Sequence, residues 1–121
     1  MRNIKTSLIK NEIKRLWMEA NFELPEDVLD ALKLSLKKES SEMGREVLKK
    51  IIENAKIASE KKIPICQDTG FPVVFLQVGQ DLRIEGGEIR RAVEEGIREG
   101  TIEGFLRRSI VNNPFERKNT G

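Results

Sequence analysis

The sequence predicts an α+β fold, mostly helical, with about four helices and a short β-hairpin after the Cys66 loop. Three observations carry this reading. Three stretches before residue 62 repeat apolar residues at intervals of three and four, the signature of helices with one buried face. The run Val73-Val74-Phe75-Leu76-Gln77-Val78 is instead dense in β-branched and apolar residues, as strands are. Between them lies Ile63-Pro64-Ile65-Cys66-Gln67-Asp68-Thr69-Gly70-Phe71-Pro72, a loop stiffened by two prolines, where the periodicity changes. At 121 residues the chain is read as one domain, 1–121. Residues 1–62 form its helical part, and residues 63–121 carry the motif loop, hairpin, helix and tail.

The elements follow in order. Ile9, Ile13, Leu16, Trp17 and Ala20 share one face of a helix expected from about residue 3 to 20, with Trp17 read as core. Lys10, Lys14 and Arg15 lie off that face and read as a solvated basic side. Pro25 followed by Glu26 and Asp27 is a good helix start, because proline suits the first turn and acids suit the positive end of the dipole. Val28, Leu29, Leu32 and Leu36 carry this second helix to about residue 38. After Glu39-Ser40-Ser41, in which either serine is a candidate N-cap, Met43, Val47, Leu48, Ile51, Ile52, Ala55 and Ala58 form the stripe of a third helix ending near Lys61. Pro64 stops it.

Past the loop, Val73–Val78 is expected as a strand buried on both faces. Gly79-Gln80-Asp81 reads as a turn, and Leu82-Arg83-Ile84 as a strand pairing back. Gly86-Gly87 lacks the rest of a phosphate-loop pattern and reads as a turn and helix cap. Glu88 to about Glu99 forms the fourth helix, with Ile89, Ala92, Val93, Gly96 and Ile97 inward; Gly96 and Gly100 weaken it and permit close packing. Residues 101–121 lose periodicity and read as an irregular tail.

Composition narrows the function classes. Lys and Arg total 22 against 20 Asp and Glu, a net charge of +2, too weak a field for a nucleic-acid module. Charged residues make up 35%, well above the usual quarter or so, and the excess of Lys and Glu over Gln matches proteins from hot environments. A single cysteine excludes an intrachain disulfide and suits a reducing cytoplasm. The absence of histidine removes the commonest general base and metal ligand, and one Cys without His does not supply a zinc site. No apolar run reaches membrane-spanning length.

The chemistry-bearing residues gather in the loop. Cys66 is a thiolate nucleophile, a metal or cluster ligand, or a small buried filler. Asp68 accepts hydrogen bonds, ligates a cation or moves a proton, while Gln67 both donates and accepts. Asp68-Thr69-Gly70 matches the aspartic protease signature, but those enzymes are all-β, and here some sixty residues of helical pattern come first.

Ile65-Cys66-Gln67-Asp68-Thr69-Gly70 resembles the Cys-Gln-Asp-Thr-Gly motif of class I, iron–sulfur fumarate hydratases and the related L-tartrate dehydratase α subunits. The resemblance continues through Gly86-Gly87, Leu106-Arg107-Arg108-Ser109, Asn113-Pro114 and Asn119-Thr120-Gly121. It is strong from residue 63 onward and one of pattern before that.

That resemblance implies a hydro-lyase interconverting L-malate and fumarate plus water, with a [4Fe-4S] cluster whose open iron acts as a Lewis acid. It implies that Cys66 is one of three cluster cysteines, that Gln67 and Asp68 line the substrate with Asp68 placed to relay a proton, and that Arg107 grips a substrate carboxylate. Arg108 reads as solvent-exposed. The implied partners are the remainder of the α subunit, a β subunit and a dicarboxylate, in an oligomer, with no nucleic acid and no membrane. The other two cluster cysteines and the carbon-proton base have no counterpart here. The chain is therefore expected to be the N-terminal part of an α subunit, inactive alone and without a complete cluster. L-Tartrate dehydratase is the rival within the same chemistry. A non-catalytic helical module with Cys66 buried and inert is the rival outside it. The Cys66 loop is expected at the edge of the helical layer, near Arg107.

Overall fold

The computed structural model describes residues 2–120; Gly121, the last residue of the tail motif, lies outside them. Helix dominates. The elements run β1 (Arg2–Lys5), α1 (Thr6–Phe22), α2 (Glu26–Lys38), α3 (Glu42–Lys61), β2 (Leu82–Glu85) and α4 (Ile89–Glu103). They gather into two compact units, one made of the segment up to Met18 with the segment from Asp68 onward, the other of Glu19–Gln67.

In the first unit β1 and β2 pair in parallel, with Arg2 opposite Leu82 and Lys5 opposite Glu85. This corrects the expected hairpin. β2 does pair, but with the chain's first residues and not with Val73–Val78. A two-strand ladder built on four-residue segments leaves no local signal, because neither strand is long enough to show alternation. The first helix accordingly starts at Thr6, after the strand, and not near residue 3.

The run Val73–Val78 is the larger correction. It forms no strand, and Val73, Val74, Phe75, Leu76 and Val78 are all exposed, Phe75 at 91%. A strand requires a partner for its backbone groups as well as β-branched residues, and among the described residues none pairs with this run.

α1 and α4 pack closely through glycine. A Cβ on Gly96 would stand 2.6 Å from the Lys10 carbonyl oxygen, and one on Gly100 would stand 3.1 Å from that of Lys14. The small residues let the helix backbones approach where larger ones would hold them apart. Ile13, Ala92 and Leu106 are buried in this unit, with Thr6 and Thr101. The close approach also brings opposite charges together: Lys10 Nζ lies 2.7 Å from Glu99 Oε1, and Lys14 Nζ 3.0 Å from Glu103 Oε2. The basic set read as a solvated side is therefore divided, with Lys10 and Lys14 held across the seam and Arg15 bonded along its own helix to Glu12. α4 runs one turn past its expected end, to Glu103. The tail beyond it closes on itself. Val111 and Asn119 form an antiparallel bridge, and the Thr120 N–H donates to the Ile110 carbonyl at 3.1 Å.

The second unit is a helical hairpin. α2 and α3 match their expected spans, because each begins and ends on an explicit signal. Glu26 and Asp27 occupy the first turn of α2 and Lys37 and Lys38 its last. Ser41 caps α3 by accepting from the Gly44 N–H at 3.3 Å. At the far end Lys62 adopts the left-handed conformation, φ 52°, and the Ile63 N–H reaches back to the Ala58 carbonyl at 3.1 Å. Phe22, Ala55, Ala58 and Ile65 are this unit's buried apolar residues.

Candidate active site

The division between the units falls inside the motif, after Gln67. Its two halves are held by different means.

Cys66 and Gln67 belong to the helical unit. Ile65 is the anchor: it is buried, and its N–H donates to the Asn21 carbonyl at 2.9 Å. The next N–H, that of Cys66, donates to Asn54 Oδ1 on α3 at 3.0 Å, and the Gln67 N–H turns back to the Ile65 carbonyl at 2.7 Å. Three successive amides are thus fixed while the Cys66 side chain stays exposed as a free thiol. That exposure counts against the reading of Cys66 as a buried, inert filler. Cys66 and Gln67 border a largely apolar cleft of about 600 Å³ between α2 and α3, lined by Leu24, Val28, Leu32, Val47 and Ile51 among others.

Asp68 and Arg107 belong to the first unit, and the structure joins them. Arg107 Nη1 donates to Asp68 Oδ1 at 2.6 Å, and both side chains are mostly exposed. Gly70, two residues after Asp68, adopts φ 75°, a value open to glycine with little strain, and turns the chain there. Thr69, Gly70 and Pro72 then line a cleft of about 420 Å³ with Arg98, Arg107, Arg108, Ser109 and Thr120. Trp17 and Thr101 also line it, the indole Nε1–H donating to Thr101 Oγ1 at 3.0 Å and that hydroxyl donating to the Ile97 carbonyl at 2.8 Å.

Charge is unevenly distributed around this cleft. Three guanidinium groups, those of Arg98, Arg107 and Arg108, face one carboxylate, that of Glu94, which bonds Arg90 at 3.0 Å. Such a rim suits an anion, and guanidinium forks suit carboxylates in particular. Sequence reasoning missed Trp17, read as core, and Arg98, which it did not single out. Arg98 was visible as the cation at spacing 94, 97, 98 and 101 on one helix face; what that face looks onto was not.

Among the described residues, no group of three or more His, Cys, Asp or Glu side chains converges to hold a metal ion, and no helix is long and apolar enough to cross a membrane.

Residues 10–121 match the protein family described as fumarate hydratase (Fumerase), so the likeness begins well before the motif loop. The chain is 46% identical over 114 residues to a protein of Methanocaldococcus jannaschii named "Putative L(+)-tartrate dehydratase subunit alpha", covering 92% of this chain and 39% of that one. It is 33% identical over 98 residues to the L(+)-tartrate dehydratase subunit alpha of Escherichia coli K12, covering 81% of this chain and 32% of that one. The chain thus spans about a third to two fifths of the length of these relatives.

Proposed function

We propose that this chain, which belongs to the fumarate hydratase family, is the N-terminal part of the α subunit of a hydro-lyase interconverting L-malate and fumarate plus water. The observation that carries the reading is the Asp68–Arg107 pair, 2.6 Å apart, with Arg107 on the rim of an arginine-rich cleft. A dicarboxylate brings two negative charges, and removal of its hydroxyl requires a proton at that oxygen.

Arg107 uses one guanidinium hydrogen on Asp68, which leaves other donors of its planar fork for a substrate carboxylate. Asp68, steered by the same bond, accepts from the substrate hydroxyl and passes a proton to or from that oxygen. Gln67, next in the chain, both donates to and accepts from substrate oxygens. Cys66 is one of three thiolates for a [4Fe-4S] cluster. Its exposed sulfur and fixed backbone suit a ligand, while one thiol alone does not hold a cubane, so the remaining thiolates come from outside this sequence. When bound, the cluster supplies a Lewis acid for the departing hydroxide. The same division of labour calls for a β subunit and leaves these 121 residues inactive by themselves. The names of the relatives favour a second reading, L-tartrate as substrate, which keeps every role above.

The test is malate–fumarate turnover, followed by fumarate absorbance, in the complete α subunit assembled with its partner under anaerobic conditions. Cys66→Ser removes activity together with the cluster's visible absorbance. Asp68→Asn keeps that absorbance and lowers kcat by about 10²- to 10⁴-fold, the range for a proton-transferring group. Turnover of L-tartrate and not malate moves the protein to the second reading. Full activity in Cys66→Ser overturns both.

A further inference from the structure

We infer that residues 73–78 form an inner β-strand of the complete α subunit, whose neighbouring strands lie in the polypeptide that follows residue 121. The inference rests on reading this chain as the N-terminal part of an α subunit, and it adds to that reading the surface on which the remainder docks. Exposure along the run alternates with the period of a strand. Phe71, Val73 and Phe75 are 76%, 73% and 91% exposed, whereas Val74, Leu76 and Val78 are 38%, 52% and 51% exposed. One face is half-covered and the other bare, and both are apolar, the pattern of a strand buried on both sides. Pro72 stands just before the run, where its missing N–H interrupts no ladder. Among the described residues, no backbone N–H or C=O of residues 73–78 has a hydrogen-bond partner. Apolar cover that left those groups unpaired would be costly, whereas a neighbouring strand supplies partners and cover together.

Charge and aromatic content identify the same chain, and not a separate subunit or a second copy, as the source of the cover. Residues 69–80 carry no charge, in a chain that is 35% charged. Strands that stay open to solvent are guarded by charges, prolines or bulges. Beyond Pro72 this run has no such guard, so its cover must arrive with the rest of the polypeptide during synthesis and not at a later encounter. Four of the five phenylalanines, Phe71, Phe75, Phe105 and Phe115, are at least 76% exposed, and all four fall in the first unit. Each such side chain buries about 150–250 Å² in a finished protein. A deficit of that size belongs to a domain interior and not to a small contact. The relatives have the length to fill it: the match covers 39% of one and 32% of another, so more than half of each lies outside it.

The test uses the complete α subunit assembled with its partner, with Phe75 replaced by the photo-crosslinker p-benzoylphenylalanine. Mass spectrometry of the irradiated complex is expected to join position 75 to a residue beyond 121 of the same chain. A link to the β subunit, a link between two α chains, or no link beyond residue 121 overturns the inference. Hydrogen exchange on the unsubstituted complex gives a second readout that no substitution disturbs. The amides of residues 73–78 are expected to exchange at least about 10²-fold more slowly than in an unstructured peptide. Exchange at the unstructured rate overturns the inference whatever the crosslinks show. Should the wild-type complex turn over neither malate nor tartrate, the hydro-lyase reading fails alone, since neither readout depends on catalysis.

Discussion

The two units hold their parts of the motif by opposite strategies. In the helical hairpin, Cys66 is fixed through main-chain amides donated to Asn21 and Asn54 next to buried Ile65; its side chain takes no part. In the other unit, Asp68 is fixed by its side chain, through an exposed ion pair with Arg107. The first arrangement places a sulfur firmly and leaves it free to ligate. The second places a carboxylate adjustably, since exposed pairs contribute only about 0–1 kcal/mol and rearrange readily. Under the proposed roles, the firm placement suits a cluster ligand and the adjustable one suits a proton relay.

The contrast extends to packing, and glycine substitutions expose it most sharply. Gly96→Ala would drive a Cβ to 2.6 Å from the Lys10 carbonyl, a backbone atom that cannot step aside. Overpacking of this kind costs roughly 1–3 kcal/mol beyond the ~1 kcal/mol that alanine gains in a helix, so chemical denaturation should show a clear net loss. Gly44→Ala in α3 meets only the flexible Glu39 side chain, at 2.8 Å. Its expected effect is of opposite sign, a gain of up to ~1 kcal/mol. Matching losses at both positions would erase the distinction between a tight seam and an open hairpin.

A middle-sized effect belongs to Asn54. Asn54→Ala removes the acceptor for the Cys66 amide and should cost about 1 kcal/mol. It should also loosen the loop, so Cys66 should react faster with a disulfide reagent such as Ellman's. An unchanged rate would mean that Ile65 alone positions the thiol.

The smallest expected effect is electrostatic. The Lys10 ammonium, hydrogen-bonded to Glu99, holds that carboxyl below its ordinary 4.5, and Glu99 in turn holds Lys10 above 10.5. A depressed acid contributes stability fully above its unfolded value, and this is lost as pH falls through the folded one. A raised base contributes below its unfolded value, and this is lost as pH rises through the folded one. Glu99→Gln should therefore be less stable than the parent on the plateau between about pH 5 and 10. The two should converge below 4.5 and again above 10.5. A constant difference across the acid range would show that packing, and not charge, holds the seam there.

Legibility in the sequence followed the range of each interaction. α2 and α3 were readable because their stripes, acidic first turns and serine cap all lie within a few residues of each other. β1 was not, since its partner is eighty residues away and neither strand is long enough to alternate. Val73–Val78 misled for a related reason: β-branched residues report a preference for extended backbone, and the backbone partner that converts preference into a strand is a tertiary matter. At the site, motif and resemblance singled out Asp68 and Arg107, and the fold pairs them. Arg98 and Trp17 carry no motif. They reach the cleft only because the glycine seam brings α1 against α4, and side-chain periodicity cannot say which face looks onto a cavity.

The parallel pairing of β1 with β2 also fixes an order of events during synthesis. Residues 2–5 leave the ribosome well before their partner, and their ladder cannot close until Leu82–Glu85 has emerged, several seconds later at ordinary elongation rates of about 5–20 residues per second. Glu19–Gln67 is contiguous, so its helical hairpin has every partner it requires while residues 2–5 are still waiting. The unit that presents Cys66 is complete on the nascent chain before the one that presents Asp68 and Arg107 can begin to close.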